Sequence, residues 1–135
     1  MALFQWTEEL SVGVREFDAQ HQRMIQMMRE LNEAMLQGKG KEALSGILAG
    51  LHQYTKIHFS AEERLFAEHG YADAEKHRMQ HDYFIGKIDE FKRDHEEGKL
   101  GTPVKVSHFL NDWFQNHIKA TDKQYTEFFH ERGVR

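Results

Sequence analysis

The chain has 135 residues, a mass of 16.0 kDa, a formal net charge of −4 and a pI near 6.2. Basic and acidic residues are interspersed, which excludes the clustered positive charge that a nucleic-acid groove or an anionic membrane patch requires. Cysteine is absent, so disulfides, thiolate nucleophiles, iron–sulfur clusters and zinc ribbons are excluded as well.

Residues 1–17 read as an irregular arm whose Phe4, Trp6 and Leu10 lie across the rest of the protein. Met1 to Leu10 has neither a basic start nor an apolar run, so it does not read as a signal peptide. Four helices follow, over residues 18–37, 41–69, 73–97 and 103–131. Gly38 with Gly40, Gly70, and Gly98 with Gly101 mark the gaps, because glycine ends helices in the left-handed conformation. Asp73 is placed as the N-cap of the third helix, and Thr102 as the N-cap of the fourth with Pro103 at its first position. No alternating run suggests a sheet, and no apolar stretch approaches the roughly 20 residues needed to cross a bilayer. The fold class is all-α, an antiparallel up-down-up-down four-helix bundle with an N-terminal arm. One cytoplasmic domain over residues 1–135 is expected, a monomer without nucleic-acid partner or membrane insertion.

Each helix carries an inward stripe stepping by three and four residues. The stripes are Phe17, His21, Met24, Met28, Leu31 and Met35; Ile47, Leu51, Tyr54, His58, Glu62 and Leu65; His77, His81, Phe84, Ile88 and Phe91; and Val106, Leu110, Trp113 and His117. Every stripe places a histidine where a bundle ordinarily places leucine. Ten histidines in the chain make this the compositional anomaly.

Buried carboxylates without partners cost several kcal/mol or are driven to protonate, and each imidazole has two nitrogens to satisfy. Lys and Arg are missing from the stripes near His21, His58, Glu62, His77, His81, His117 and Asp122. Metal ions resolve the problem, since dications take neutral imidazole and carboxylate as ligands. His58 and Glu62 are one turn apart, as are His77 and His81. His117 and Asp122 are five residues apart, roughly 140° beyond a full turn of an ideal helix. That pair converges only if the helix bulges or the aspartate reaches around. Seven ligands suit two metals, with Glu62 and Asp122 as bridges.

The aromatic arm, Asp18-Ala19-Gln20-His21, His58-x-x-x-Glu62, His77-x-x-x-His81 and His117-x-x-x-x-Asp122 together resemble the bacterial hemerythrins, small four-helix non-haem di-iron proteins. The resemblance covers nearly the whole chain. It implies one iron held by His77, His81 and His117, and a second held by His21 and His58. Glu62, Asp122 and a solvent-derived oxo or hydroxo group would bridge them. The second iron then keeps one open position, where the family binds dioxygen. The imidazole-rich set contrasts with the Glu-rich sites of ferritin-like proteins, which favours holding oxygen over activating it. The expected function is reversible oxygen binding without enzymatic turnover, for transport, storage or supply to an oxygen-consuming enzyme, with a reductase as a further partner. A free-standing oxygen or redox sensor is the alternative. An iron store or a peroxide- or nitric-oxide-removing protein is less favoured, and zinc is a minor alternative on ligand type.

Met24, Phe59, Trp113, Phe114 and Ile118 sit beside ligands in the helical register and are expected to wall the oxygen pocket. Phe114 stands where hemerythrins often have leucine, so a narrower pocket is expected. Tyr125, one turn past Asp122, is a candidate to support a ligand. His52, His69, His95, His108 and His130 fall off the stripes or near helix ends and read as surface residues.

Overall fold

A computed structural model of the chain describes residues 6–135, and for residues 119–121 the backbone alone. Phe4 lies outside the described residues. After a short 3-10 turn at Glu8–Leu10 come α1 (Arg15–Leu36), α2 (Gly40–His69), α3 (Ala74–Glu96) and α4 (Thr102–Trp113). Then follow a π-helical segment (Phe114–Thr121), a 3-10 turn (Asp122–Tyr125) and α5 (Thr126–Glu131). Sequence neighbours pack side by side and α4 closes the ring against α1, giving the expected four-helix bundle. No helix among the described residues is long and apolar enough to cross a membrane.

The termini of the helices refine the expectations. The first helix begins at Arg15 rather than residue 18, because the Val14 carbonyl already accepts the Asp18 N–H at 2.9 Å. The second helix ends on Gly70 at φ +68°, which lets the Tyr71 N–H turn back to the Phe66 carbonyl at 3.0 Å. Asp73 occupies the N-cap position of α3 but makes no side-chain capping bond. Thr102 is not a cap either. Gly101, at φ +79°, turns the chain into α4, and the Thr102 hydroxyl instead donates to the Lys99 carbonyl at 2.9 Å. The fourth rod is broken rather than continuous from 103 to 131.

A layer of buried histidines and carboxylates separates two apolar clusters. On one side lie Met24, Met28, Leu31, Leu51, Tyr54, Phe59, Phe84, Leu110, Trp113, Phe114 and Ile118, among others, with Trp6 and Leu10 of the arm packed on them as expected. On the other lie Val12, Val14, Phe17, Phe66, Tyr125 and Phe129. Within the stripes Leu65 and Met35 are only half-buried, and Phe66 is the fully buried member of that turn of α2.

The arm is fixed at several points. Asp18 accepts the Ser11 hydroxyl at 2.6 Å and the Val12 N–H at 2.8 Å. The Thr126 hydroxyl donates to the Val12 carbonyl at 2.6 Å, and His130 Nε2 donates to the Gly13 carbonyl at 2.7 Å. His130 is therefore not a free surface residue; it ties the arm to α5. Gly13 combines φ +74° with an approach that would leave a Cβ only 2.6 Å from His130 Nε2, so any other residue there is strained and must displace the His130 or Thr126 side chain. His52 and His108 are exposed, whereas His69 and His95 are half-buried, and His95 is bonded to Ser45 at 2.9 Å.

Candidate metal centre

His21 is on α1, His58 and Glu62 on α2, and His77 and His81 on α3. His117 lies in the π-helical segment, and Asp122 immediately after it. All seven side chains are buried, none more than 3% exposed. Ligand atoms of Glu62, His77, His81 and His117 lie within 4.8 Å of one another, as do those of His21, His58, Glu62 and Asp122.

The last pair meets because of the backbone. In the π-helical segment each turn takes up an additional residue, and the Asp122 N–H bonds back to the His117 carbonyl, five residues earlier. Residues five apart then share a face, as His117 Nε2 and Asp122 Oδ1 do at 3.0 Å. Of the two ways the pair could converge, the helix takes the bulge.

The two carboxylates each face both groups of histidines. Glu62 Oε1 is 3.0 Å from His81 Nε2 and 3.5 Å from His77 Nε2, while its Oε2 is 3.4 Å from His58 Nε2. Asp122 Oδ1 is 2.8 Å from His77 Nε2, and its Oδ2 is 3.3 Å from His21 Nε2. His21 and His58 oppose each other, Nε2 to Nε2, at 2.9 Å.

Whether these residues fit metal ions is decided by where the lone pairs are. The outer nitrogen of three rings is committed: His58 Nδ1 to Gln20 Oε1 at 2.5 Å, His81 Nδ1 to Glu63 Oε2 at 2.9 Å, and His117 Nδ1 to Gln80 Oε1 at 2.6 Å. An amide or carboxylate oxygen only accepts, so each Nδ1 carries the proton and each neutral ring turns an Nε2 lone pair inward. Inside, His77 Nε2, His81 Nε2, His117 Nε2, Glu62 Oε1 and both Asp122 oxygens are buried without a hydrogen-bond partner among the described residues. These atoms are close to one another but not aligned as hydrogen bonds. Converging orphaned lone pairs on imidazole and carboxylate are what a pair of iron-type cations takes up. The fit is good.

The electrostatics set His77 apart from His58 and His117. Burial lowers the His58 pKa to about 3 and also lowers that of His117, which keeps both rings neutral. Burial pulls His77 down too, but the Asp122 and Glu62 carboxylates outweigh it and raise the ring to about 9. Although burial acts to raise the Asp122 pKa, its histidine neighbours, His117 foremost, hold it well below the usual carboxylate range. Glu62 is likewise lowered against burial, His58, His77 and His81 being the groups that lower it.

Around this layer, Met24, Phe59, Trp113, Phe114 and Ile118 are all buried in one apolar cluster. Phe59 stacks on His81 with centroids 3.8 Å apart, and Trp113 on His117 at 4.0 Å. These two rings thus cover the three-histidine group. Tyr125, fully buried, donates its hydroxyl to Glu62 Oε2 at 2.6 Å. Gln20, Glu63, Gln80 and Tyr54 also belong to the surroundings of the ligands and were not legible beforehand. For the first three the signal was present: each lies next to one of the seven residues in sequence, with a side chain able to accept a hydrogen bond.

A helical bundle whose layers are split by five histidines and two shared carboxylates defines a class, the four-helix proteins with a two-cation centre. The hemerythrin HHE cation binding domain matches residues 12–129, and the chain belongs to that family. It is 32% identical over 128 residues to a bacteriohemerythrin of Pseudomonas aeruginosa (strain LESB58), covering 94% of this chain and 82% of that protein. It is 31% identical to the bacteriohemerythrin of Methylococcus capsulatus (strain Bath), covering 93% and 95%. A solved wild-type hemerythrin superposes with a TM-score of 0.83 at 28% identity, covering 93% of this chain and 96% of that one. Family membership carries the broad functional class, a di-iron, oxygen-binding protein.

Proposed function

We propose that the chain is a single oxygen-binding domain that holds dioxygen reversibly, for transport, storage or supply to an oxygen-consuming enzyme. His77, His81 and His117 would hold one iron, and His21 and His58 the other. Glu62 and Asp122 would span both. When bound, the two ferrous ions supply the two electrons that hold dioxygen and recover them on its release. The observation that carries the reading is the convergence of seven buried side chains, divided unevenly into three imidazoles and two around shared carboxylates, with the inner nitrogens of the three-histidine group and three carboxylate oxygens left without a hydrogen-bond partner among the described residues.

The protein's own groups do the rest. Gln20, Glu63 and Gln80 fix the tautomer and ring orientation of three ligands. Tyr125 holds one Glu62 oxygen in place. The group of His21 and His58 brings one imidazole fewer, and dioxygen is taken to enter there. Met24, Phe114 and Ile118 keep water from the site, which protects ferrous iron from oxidation to an inert ferric form.

The test is an iron assay with an absorption spectrum of aerobically purified protein. Two irons per chain with ferric–oxo charge-transfer bands, bleached by dithionite and changed again by air, are expected. Zinc, or no metal, with featureless absorption overturns the reading. Phe114 adds a second expectation. With Phe114→Leu, the smaller side chain opens the wall, and stopped-flow measurement should show oxygen association several-fold faster. Unchanged association, dissociation and autoxidation rates would remove Phe114 from the pocket wall.

A further inference from the structure

Tyr54 is 5% exposed, and its hydroxyl is covered and without a hydrogen-bond partner among the described residues. A buried hydroxyl in that condition is costly, and native structures keep one where something other than protein satisfies it. Its position is specific. Tyr54 lies one turn before His58 on α2, and its ring stacks on that imidazole with centroids 5.1 Å apart and planes 24° from parallel. It belongs to the apolar cluster that holds Met24, Phe114 and Ile118. One other buried donor in that cluster lacks a partner, Trp113 Nε1, but its ring stacks on His117 of the three-histidine group. His21 Nδ1 is unpartnered too, but it sits on a ring of the site itself, so among the described residues Tyr54 is the unpartnered donor beside the two-histidine group that is not one of its imidazoles.

We infer that the Tyr54 hydroxyl donates a hydrogen bond to dioxygen, or to a small anion in its place, held at the His21–His58 side. The inference rests on the oxygen-binding reading above and adds a positioning residue to it. Charge moves onto dioxygen as it is held, which makes it a better acceptor than any group the apolar wall offers, and the phenol meets it without a water being admitted. Tyr54 also separates the site from the outside. Its ring and that of His58 line a groove of about 400 Å³ between α1 and α2, beside Gln20, Arg23 and Ile57. Replacement by phenylalanine keeps that partition and removes only the donor.

The experiment is Tyr54→Phe measured beside wild type, with iron content, dioxygen kinetics, azide affinity of the ferric protein, and melting of the metal-free protein. Iron content and metal-free melting temperature are expected to stay the same, because the hydroxyl has no protein partner to lose. Dioxygen dissociation should quicken about five- to tenfold, the size of one lost hydrogen bond, and azide should bind weaker by a similar factor. Association, set by access, should not change. Dissociation and azide affinity equal to wild type in iron-loaded Tyr54→Phe overturn the inference. So does a lower metal-free melting temperature, since that reveals a structural bond. Failure of wild type to hold two irons overturns the underlying reading instead, and is told apart by the iron assay alone.

Discussion

Glu62→Ala is expected to abolish iron binding, with iron per chain falling from two to near zero and the charge-transfer bands lost. Glu62 faces both histidine groups, with one oxygen 3.0 Å from His81 Nε2 and the other 3.4 Å from His58 Nε2. Its removal therefore takes a ligand from both sites at once, whereas a single histidine deletion touches one. Helix content should survive, because the two apolar clusters lie above and below this layer. Stability of the iron-loaded sample should not survive intact. A ligand at about a thousand times its Kd stabilises by roughly 4 kcal/mol, which for a domain of this size corresponds to a melting shift on the order of 10–20 °C. Glu62→Gln keeps the volume but loses the charge and one of the two accepting oxygens, and should retain at most partial iron. Two irons and normal bands in Glu62→Ala would refute the assignment of this carboxylate.

The second large effect is a stability maximum near neutral pH in the metal-free protein. The His58 pKa is lowered to about 3 in the fold, against about 6.5 unfolded. Its contribution is present above 6.5 and is lost as pH falls towards 3, reaching about 5 kcal/mol. Asp122 and Glu62 are also depressed, so their contributions vanish below the usual carboxylate range and steepen the acid limb. His77 acts in the opposite sense. Raised to about 9, it stabilises fully below 6.5 and ceases to do so as pH rises through 9, a loss of about 3 kcal/mol. Urea denaturation between pH 4.5 and 9.5 should give a bell-shaped curve centred near pH 6.5. Iron loading should remove the alkaline limb, because a metal takes the place of the proton on His77. A monotonic profile in the metal-free protein would show that these groups do not carry its pH dependence.

The bundle and the seven-residue cluster were both legible from the chain because they rest on the same regularity. Steps of three and four residues put His21, His58, His77, His81 and His117 on the faces that also carry Phe17, Leu51, Phe84 and Leu110. From spacing alone Asp122 was legible only as a conflict, and the resemblance placed it: its distance from His117 along the chain is wrong for an α-helix, and the π-helical turn resolves it. Other features escaped because they depend on contacts between distant segments. His130 looks like a helix-end surface residue until the arm passes beside it and offers the Gly13 carbonyl. Thr102 has the sequence of a cap, but the left-handed Gly101 moves the helix start by one residue. Tyr54 reads as ordinary core, since a stripe reveals that a side chain is inward, not whether its hydroxyl finds a partner.

The π-helical turn sets more than one residue in place. A surplus residue rotates everything after it by about 100° relative to an uninterrupted α-helix. Asp122, Tyr125 and Phe129 all come after it, and all three are fully buried. Deleting one residue from the segment would wind the rod back into a regular spiral and swing Asp122, the tyrosine that bonds Glu62 and the aromatic plug of the far cluster out of line together. Chemistry and tail packing share one phase offset, so neither can drift without the other.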